Sequence, residues 1–530
     1  MSSPTLIALR SFIDNVQSHQ RLGIIATIGI ATILLQRYIR SPYRKLPPGP
    51  VGLPIIGNLL SLIGRPQLVT FSEWKQTYGD LTYITVAGQR LLVINSCKAA
   101  IELLDRRSGN TSSRPRNIVA FRILSGENMM VLMENNTSWR QARRAAHEAL
   151  NKDVAHQYHP IQMTEGVLLA ADVLASPKDW NEHFQRRAAS LIMSMVYDHP
   201  PITNQATGHP ILEIINAIIN RFLHAAKPGT YLVEFFPWMM YIPRCLAKWR
   251  TDAEEHCRKD TMYFESLVSD VKKRMVSGTI RDCFTTNLVE NASLSRLTCE
   301  GTAWLAGTMY IAGSETSANV MAWFLLSMLL YPDAQNHAQK ELDTVVGRSR
   351  IPTFADLNQL PYIQALVKEV LRWRSPSLFA APHTTSSDDW YEGMFIPKGT
   401  SCLPNIWVLN NDPELFGPDA TSFNPARYLD ESGQLNTSIP VDHFSFGFGR
   451  RVCVGQHVAN NSLFIDIAML LWATKIERVT DTNGDLIPLD ADGYVEEGLA
   501  VHPLPFDCKI VPRFPEASLI LESEKELRGV

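Results

Sequence analysis

A glycine-punctuated segment, residues 446–455, contains the cysteine whose surroundings most favour reactive chemistry. Arg450 and Arg451 precede Cys453, and an apolar run with helical spacing follows from Val458 to Lys475. Cys453 is therefore predicted to lie just ahead of a helix N-terminus. Backbone N–H groups, the positive end of the helix dipole and the two guanidiniums would favour the thiolate over the thiol. Such a thiolate could be a nucleophile, a redox sensor or a metal ligand.

The longest helical pattern runs from about Leu297 to Leu330, with the sequence AGSETS near its middle. Ala312, Gly313 and Thr316 are predicted to share one face of this helix. Two small residues beside a hydroxyl in a buried helix could leave a hollow for a ligand. They could also mark a close helix–helix crossing, with Thr316 hydrogen-bonded back to the carbonyl of Ala312. Taken alone, the segment favours the crossing.

A pair of opposite charges, Glu369 and Arg372, is spaced i,i+3 in a further helical pattern. Most pairs of this kind are surface ion pairs that contribute little to stability. Another arginine, Arg427, lies downstream in a segment broken by Pro425. None of these residues assigns a function by itself.

The overall composition is that of a globular protein, with 45% hydrophobic and 19% charged residues among 530. A formal net charge of −3 gives no reason to expect nucleic acid as a partner. The 8 cysteines are widely scattered and form no C-x-x-C pair. This spacing argues against a disulfide framework and against a structural zinc site.

An uncharged apolar run near the N-terminus extends from Leu22 to Leu35. It is short for a membrane span, but it reaches Ile39 if flanking arginines extend to the interfaces. A cleaved signal peptide has an apolar region of this length, but no small-residue cleavage site follows. We expect a retained signal anchor at about 22–39 within an N-terminal region, 1–45. More Lys and Arg follow the run than precede it, which predicts a cytosolic domain over 46–530.

The pattern along the body predicts a mainly α fold with small β-sheets, arranged as one large domain. Residues 81–95 alternate around Gly88 like a β-hairpin, and further strand-rich zones are expected near 381–405 and 498–511. The rest is mostly helical in pattern. No repeat or low-complexity linker divides it.

Taken together, these segments resemble a cytochrome P-450, a haem-thiolate monooxygenase. The loop fits the family pattern F-x-x-G-x-R-x-C-x-G in full, with Phe446, Gly449, Arg451, Cys453 and Gly455. The E-x-x-R pair, the threonine of the long helix, a W-x-x-x-R motif and a proline hinge at 46–50 follow the family's order and spacing. The resemblance spans nearly the whole chain. The overall sequence, including its ending at 502–506, resembles basidiomycete fungal members of the family. These belong to the group similar to O-methylsterigmatocystin oxidoreductase.

The resemblance implies a haem b cofactor with Cys453 as the axial thiolate ligand of its iron. Phe446 would shield the sulfur from solvent. Partners of the haem propionates are implied at four positions: Arg451, Trp139, Arg143 and His383.

The same resemblance implies an oxygen-handling segment on the long helix. Ala312 and Gly313 would leave room for dioxygen over the haem, and Thr316 with Glu315 would supply the protons that oxygen activation consumes. A buried charge network with a structural role is implied for three further residues: Glu369, Arg372 and Arg427.

Electrons are expected to come from a partner, because the sequence has no G-x-G-x-x-G dinucleotide-binding loop. The resemblance and the anchor together imply an NADPH–cytochrome reductase at the endoplasmic reticulum membrane. Arg140 and Arg144 share a helix face with Arg143 and could form its docking patch, or simply an ordinary solvated face.

The predicted substrate pocket is mostly apolar, which favours a lipophilic small molecule. Terpenoid, polyketide and aromatic substrates all stay open, in secondary metabolism or xenobiotic oxidation. The pocket should also draw on residues 118–132 and on Leu499 and Ala500. Its lining is predicted at five main positions: Leu305, Thr308, Met309, Leu378 and Phe379.

Two alternatives keep the fold. A haem-thiolate isomerase or dehydratase would dispense with oxygen activation, but such members often lack the acid–alcohol pair that Glu315 and Thr316 form here. The chain could also be a non-catalytic haem-binding protein. That alternative would not explain why the oxygen-activating residues of the long helix are all present. A hydrolase is weaker still, because no G-x-S-x-G elbow occurs.

Overall fold

The computed structural model describes residues 27, 32–33, 35–203, 210–227, 229–497 and 500–530. The anchor predicted at about 22–39 lies largely outside these residues. Within the part of the chain that is described, no helix combines the length and the apolar character needed to cross a membrane.

Helices make up most of the described chain. The longer α-helices are α1 (Gln67–Tyr78), α2 (Thr137–Leu150), α3 (His159–Ala175), α4 (Trp180–Tyr197), α5 (Pro210–Ala226), α6 (Lys248–Ser277), α7 (Phe284–Glu290), α8 (Cys299–Leu330), α9 (Pro332–Val345), α10 (Pro361–Trp373), α11 (Gln456–Ala473) and α12 (Ala517–Arg528). Shorter helical turns connect them, together with two π-helices, Ile101–Arg106 and Ile118–Leu124. We call the second of these the 118–124 helix.

The strands are short and form one four-stranded sheet and three two-stranded sheets. They are β1 (Leu81–Val86), β2 (Gln89–Ile94), β3 (His383–Thr384), β4 (Asp389–Tyr391), β5 (Met394–Ile396), β6 (Ser401–Pro404), β7 (Thr474–Glu477), β8 (Tyr494–Glu497), β9 (Ala500–Pro503) and β10 (Lys509–Pro512). The larger sheet has the order β1-β2-β6-β3, and the other pairs are β4-β5, β7-β10 and β8-β9.

The hairpin predicted over residues 81–95 is confirmed as β1 and β2, with Leu81 opposite Ile94. Its two-residue turn places Ala87 at φ 46° and Gly88 at φ 81°. Positive φ at both turn positions matches the right-handed twist of the strands, and glycine adopts it without strain. β6 pairs parallel with β2 and antiparallel with β3, which brings His383 opposite Cys402.

α8 is the central helix of the domain and is buried for most of its length. The Thr298 hydroxyl caps its start by accepting from the Gly301 N–H at 2.9 Å. The helix ends at Leu330, and Pro332 begins α9 at a position where its missing N–H is not needed. The pattern predicted from about Leu297 to Leu330 is therefore confirmed.

The two ends of α8 belong to different hydrophobic clusters. Residues 303–306 and Tyr310 pack with the 118–124 helix, α2, α5 and α6. Residues 318–329 pack with α3, α4, α9, α10 and α11. The middle of α8, from Ala312 to Ser317, contributes no residue to either cluster. The hydrophobic core is therefore interrupted at the segment that was singled out from the sequence.

α9 and α10 are joined by a remote carboxylate. Pro361 opens α10, and the next two N–H groups, of Tyr362 and Ile363, donate to Glu341 of α9 at 2.8 and 3.1 Å. Burial raises the pKa of Glu341, while these two backbone donors lower it. The contact fixes the start of the helix that contains Glu369 and Arg372.

The mainly α fold with small sheets is confirmed for the described residues, as is the helix after the cysteine loop. That helix, α11, begins two residues earlier than the apolar run suggested, because polar Gln456 and His457 form its first turn. Strands are present in both of the other predicted zones.

Candidate functional site

The cysteine loop is closed by backbone hydrogen bonds. The Cys453 N–H donates to the Phe446 carbonyl at 2.8 Å, and the Gly447 N–H donates to the Phe444 carbonyl at 2.9 Å. Gly447 has a φ of 76°, in the left-handed region that glycine tolerates. Phe446 is half-buried. The loop thus holds the sulfur-bearing residue in one place without help from its side chain.

Gly449 is required by a close approach as well as by its conformation. Its φ is 51°, and a Cβ there would lie 2.3 Å from the carbonyl oxygen of Leu104. Any side chain would push the loop away from the π-helix Ile101–Arg106. The loop then leads to Gly455, which caps α11. Cys453 therefore lies just before a helix N-terminus, as predicted.

The balance of charge at Cys453 differs from the sequence-based expectation. Burial raises the pKa of the thiol, and this outweighs the lowering by the Gly455 N–H and by the Arg143 guanidinium. Arg450 is exposed, and Arg451 is not among the groups that act on the sulfur. The helix start and a nearby arginine do favour the thiolate, but the arginine is Arg143, and desolvation is the larger effect. A bound metal cation would supply the missing stabilisation.

Cys453 is surrounded by protein, yet its side chain is exposed. A space beside the side chain, surrounded by other parts of the protein, accounts for both statements. Ala312 and Thr316 show the same exposure in the middle of α8, although the turns on either side are buried. Since α8 packs across α11, the cysteine loop and this face of α8 lie on adjoining elements.

Arg451 points away from the cysteine and into the protein. Its guanidinium lies 4.0 Å from the centre of the Trp139 ring, and its Nε donates to the Ser112 carbonyl at 2.8 Å. Trp139 is in α2, one turn before Arg143. The structure therefore brings together three of the four predicted propionate partners, because Arg143 acts electrostatically on Arg451.

Arg114 completes this group and was not identified from the sequence. Its Nε donates to the Val131 carbonyl at 2.9 Å and its Nη1 to the Pro382 carbonyl at 2.7 Å. It thereby lies next to His383, the fourth predicted partner, whose Nδ1 is 3.0 Å from the Thr111 carbonyl. No spacing rule marks Arg114, because its partners are backbone carbonyls brought together only by the fold.

Three guanidiniums, of Arg114, Arg143 and Arg451, therefore share one buried region. Burial and mutual repulsion lower the pKa of Arg451 to about 8, and burial alone lowers that of Arg114 to about 10. No carboxylate of the described chain acts on any of the three. Guanidiniums stay charged in proteins, so this region favours an anion. Two carboxylates on a planar group bordering Cys453 match it in charge and hydrogen bonding.

His383 has a pKa lowered to about 3, first by burial and then by the Arg114 charge. The imidazole is therefore neutral near pH 7. A neutral ring has a single N–H, which Nδ1 donates to the Thr111 carbonyl, so His383 gives the arginine group neither a charge nor a further hydrogen-bond donor.

Both interpretations of the segment AGSETS describe part of the structure. Gly313 faces α4, where a Cβ would lie 2.7 Å from Cδ1 of Ile192, so its small size serves a close helix crossing. The Thr316 hydroxyl donates to the Ala312 carbonyl at 3.0 Å. Ala312 and Thr316 are nevertheless exposed on their shared face, as expected beside a hollow. Glu315 is half-buried beside them.

The predicted ion pair between Glu369 and Arg372 is present and fully buried, with both side chains 0% exposed. The guanidinium is bidentate, with two N–O distances of 2.7 Å. Arg427 adds a third contact at 3.2 Å to the same carboxylate. Arg372 also donates to the carbonyls of Asn410 and Ala420. This network ties α10 to the segment that precedes the cysteine loop.

The residues predicted to line a substrate pocket fall into separate groups. Leu305 and half-buried Met309 belong to the cluster of the 118–124 helix. Leu378 packs with Val501 of β9, and Phe379 also contacts that group. Thr308 is buried, and its hydroxyl has no hydrogen-bond partner among the described residues. Leu499 lies outside the described part of the chain, whereas Ala500 is buried in β9.

Comparison with known proteins matches this architecture to one family. The family model for cytochrome P450 covers residues 47–503. A cytochrome P450 monooxygenase of Armillaria gallica is 54% identical over 96% of this chain and 98% of its own length. Cytochrome P450 monooxygenase 58 of Postia placenta is 41% identical over 98% of this chain and 99% of its own length.

A third relative, cytochrome P450 monooxygenase iboC of Amanita muscaria, is 38% identical over 91% of this chain and 94% of its own length. All three organisms are basidiomycetes, as the resemblance indicated. A haem-thiolate group is what this family uses, and the enclosed cysteine and the unpaired arginines suit it. The chain belongs to the cytochrome P450 family and is a monooxygenase-type oxidoreductase.

Proposed function

We propose that the protein is an NADPH- and dioxygen-dependent monooxygenase that hydroxylates, or oxidises in a related way, a lipophilic small molecule of fungal secondary metabolism or a xenobiotic. One observation supports it most: Arg114, Arg143 and Arg451 form a group on which no carboxylate of the described chain acts, and Arg143 in turn acts on Cys453. This is the charge pattern that a haem with two propionates would balance.

In this proposal Cys453 ligates the iron of haem b, the propionates bind Arg114, Arg143 and Arg451, and His383 lies beside Arg114. A thiolate-ligated haem supplies electron donation that promotes cleavage of dioxygen and oxidation of an unactivated carbon. The Gly455 N–H and the Arg143 guanidinium both lower the pKa of the Cys453 thiol, so both favour negative charge on the sulfur. Trp139 keeps the Arg451 guanidinium in position through their stacked contact.

Thr316 and Glu315 are proposed to control the protons that the reaction consumes. The Thr316 hydroxyl is a donor to the Ala312 carbonyl, so its oxygen lone pairs are free to accept from a water or a substrate group on the exposed face. Ala312 leaves this face open because its side chain is only a methyl group. Glu315 is placed one residue before, where a carboxylate can exchange protons with solvent.

Thr316→Ala is expected to retain haem and to lower product formation by roughly tenfold or more, since a group that positions the transferred proton contributes at least that factor. Reducing equivalents should then leave as hydrogen peroxide. The measurement is the ratio of product and of peroxide to NADPH consumed. Thr316→Ser keeps the hydroxyl and should restore coupling in part. If coupling in Thr316→Ala equals that of the unmodified protein, Thr316 has no part in proton control.

The substrate is proposed to be largely apolar with few polar groups, because Leu305 and Met309 of α8 and the 118–124 helix provide aliphatic surface. The Thr308 hydroxyl is buried with no partner among the described residues and could bind one polar group of a ligand. The isomerase, dehydratase and non-catalytic alternatives give no use to the exposed Thr316 beside Glu315. No observation favours them.

The proposed function is tested with purified protein and a fungal NADPH–cytochrome reductase. The reduced, carbon-monoxide-bound protein should show the red-shifted Soret band of thiolate ligation. A panel of terpenoid, polyketide and aromatic compounds is then screened for NADPH-dependent mass gain of one oxygen atom. A histidine-type Soret band would contradict the haem-thiolate assignment. Thiolate ligation with turnover that needs neither NADPH nor dioxygen would favour the isomerase alternative.

The reductase is proposed to dock on the exposed side of α2. Arg140 and Arg144, one turn apart, are exposed there, and Arg143, directly before Arg144, acts on Cys453. Arg450 in the cysteine loop is exposed as well. An acidic flavodomain would fit this basic surface, and reductase turnover should then weaken with rising salt. Salt-independent turnover would contradict this site.

Membrane attachment at the endoplasmic reticulum is proposed from the N-terminal apolar run and from exposed apolar side chains around the β1–β2 turn. Val51 and Ile55 are exposed in the segment whose Ile56 carbonyl accepts from the Ala87 N–H of this turn. Three further apolar residues are exposed shortly after Glu234, whose carbonyl accepts from Gln89: Trp238, Tyr241 and Leu246. Such a surface suits the headgroup region of a bilayer. A version lacking residues 1–45 should still float with lipid vesicles, although more weakly than the full chain. If neither the full chain nor the shortened version is found in the membrane fraction, the proposal is contradicted.

A further inference from the structure

Glu234 caps a helix from which it is distant in sequence. Its carboxylate accepts from the Ile118 N–H at 2.9 Å and from the Val119 N–H at 2.8 Å. The next two N–H groups of the 118–124 helix donate to the side chain of Asn117, its own N-cap. All four N–H groups that a helix start leaves open are thereby satisfied, two of them by a residue 116 positions away in sequence.

The backbone of Glu234 is held as well. Its carbonyl accepts from Gln89 Nε2 at 3.0 Å and from Arg116 Nη2 at 3.1 Å. Gln89 is the first residue of β2, directly after the β1–β2 turn. Glu234 therefore joins three segments that are distant in sequence. They are the β1–β2 turn, the start of the 118–124 helix and the 3-10 turn Leu232–Glu234. We call this arrangement the Glu234 clasp.

The clasp lies on the cover of the proposed substrate pocket. Ile118 and Val119 pack in one cluster with Ile215 of α5 and Leu305 of α8, and Val233 beside the clasp belongs to the same cluster. Leu305 precedes the exposed Ala312 by two turns of α8. The 118–124 helix and the Leu232–Glu234 turn both belong to the layer that covers this half of α8. Opening the clasp would therefore move these two segments apart.

The chemistry of the clasp gives it two distinct states. Burial raises the pKa of Glu234, and the two backbone donors counteract part of that effect. A desolvated carboxylate is acceptable only while both donors point at it. If the 118–124 helix moves away, the carboxylate and the two N–H groups all return to water. Partial opening is disfavoured, so the contact is either made or released.

We propose that Glu234 is a positioning residue that keeps the cover closed, and that release of its contact with Ile118 and Val119 limits the rate at which bulky lipophilic ligands enter and leave. This inference rests on the proposed function, because it takes the space beside Cys453 and Thr316 to be the substrate pocket. It assigns to Glu234 no contact with the reacting atoms.

A matched control exists within the same chain. Glu341 also caps a remote helix, with N–O distances of 2.8 and 3.1 Å to Tyr362 and Ile363 at the start of α10, and burial raises its pKa too. Glu234→Gln and Glu341→Gln remove the same kind of contact at different places. An effect of lost helix capping alone should therefore appear in both variants.

The test uses full-length, haem-loaded protein and two iron ligands of different size, imidazole and 4-phenylimidazole, followed by stopped-flow absorbance. In Glu234→Gln the association and dissociation rates of 4-phenylimidazole should both rise by about tenfold, as expected for loss of a charge-assisted hydrogen bond. Its equilibrium affinity should change much less, and the imidazole rates should stay within about twofold. Glu341→Gln should behave as the unmodified protein with both ligands.

Hydrogen exchange of backbone amides gives a second readout that does not require haem. Amides of residues 118–121 should exchange faster in Glu234→Gln, and those of 362–363 should exchange faster in Glu341→Gln. Faster exchange at 118–121 with unchanged 4-phenylimidazole rates would overturn the proposal and leave Glu234 as a structural cap. Unchanged exchange at 118–121 would overturn it as well.

Failure of the proposed function has a different signature, namely an unmodified protein without the thiolate Soret band. In that case, hydrogen exchange at residues 118–121 in Glu234→Gln still shows whether Glu234 holds the start of the 118–124 helix. Should Glu234→Gln not accumulate as folded protein, Glu234→Asp takes its place, because the shorter side chain keeps the charge but reaches the two N–H groups less well. The same rise in 4-phenylimidazole rates is expected for it, and unchanged rates would overturn the proposal.

Discussion

Cys453→Ser is expected to abolish the red-shifted Soret band of the reduced, carbon-monoxide-bound protein and to reduce turnover by roughly three orders of magnitude or more. A serine hydroxyl ionises far less readily than a thiol and donates less electron density to iron. The loop itself should survive, because it is closed by the Cys453 N–H and the Phe446 carbonyl and not by the side chain. The measurement is the carbon monoxide difference spectrum, together with product formed per haem.

The control for this variant is Cys299→Ser. Cys299 is also an exposed cysteine, but it is the first residue of α8. Its replacement should leave both the spectrum and turnover unchanged. Retention of the red-shifted band in Cys453→Ser, or its loss in Cys299→Ser, would show that Cys453 is not the ligand.

The position of Cys453 could be predicted because its determinants are local. Glycines at fixed offsets set the turn, and the apolar run sets the helix that follows. The ionisation of the same residue could not be predicted in this way. Burial depends on every element packed around the loop, and here it raises the thiol pKa by more than the nearby donors lower it. The sequence shows which charges are close in the chain, such as Arg450, but not which are close in space, such as Arg143.

A similar distinction separates the arginines that were identified from the one that was missed. Arg143 and Arg451 stand at fixed distances from Trp139 and Cys453, so a motif identifies them. Arg114 is recognisable only from the fold, which collects the carbonyls of Val131 and Pro382 around it. The sequence likewise showed Gly313 as a small residue on a helix. Only the packed structure reveals that the space beside it is filled by Ile192.

The substrate pocket was the least predictable feature, for a physical reason. Its proposed walls come from the 118–124 helix, α5, α8 and the β8–β9 hairpin, and their side chains meet through contacts of long sequence separation. Apolar residues in such elements serve the core as readily as a pocket. Leu305 is an example, because it is both a core residue and a proposed wall. Substrate identity therefore depends on small differences in packing that no motif encodes.

Arg372→Met is expected to destabilise the folded protein by about 3–5 kcal/mol, the range for breaking a buried ion pair by removing one partner. Glu369 would keep only Arg427 and the Asn424 N–H as partners of its buried carboxylate. The carbonyls of Asn410 and Ala420 would lose their donor. The measurement is the free energy of unfolding in urea, followed by circular dichroism, together with the haem content of the purified protein.

The control is a surface pair with the same charges. Arg65 and Glu73 are 2.8 Å apart, and each side chain is 52% exposed. Arg65→Met should change the free energy of unfolding by less than about 1 kcal/mol, because solvent screens the pair. The double variant Glu369→Gln/Arg372→Met should be more stable than the two single effects added together, because removing the second partner no longer leaves a buried charge unpaired. If Arg372→Met and Arg65→Met cost the same, or if the two single effects simply add, the buried network does not hold α10 against the segment before the cysteine loop.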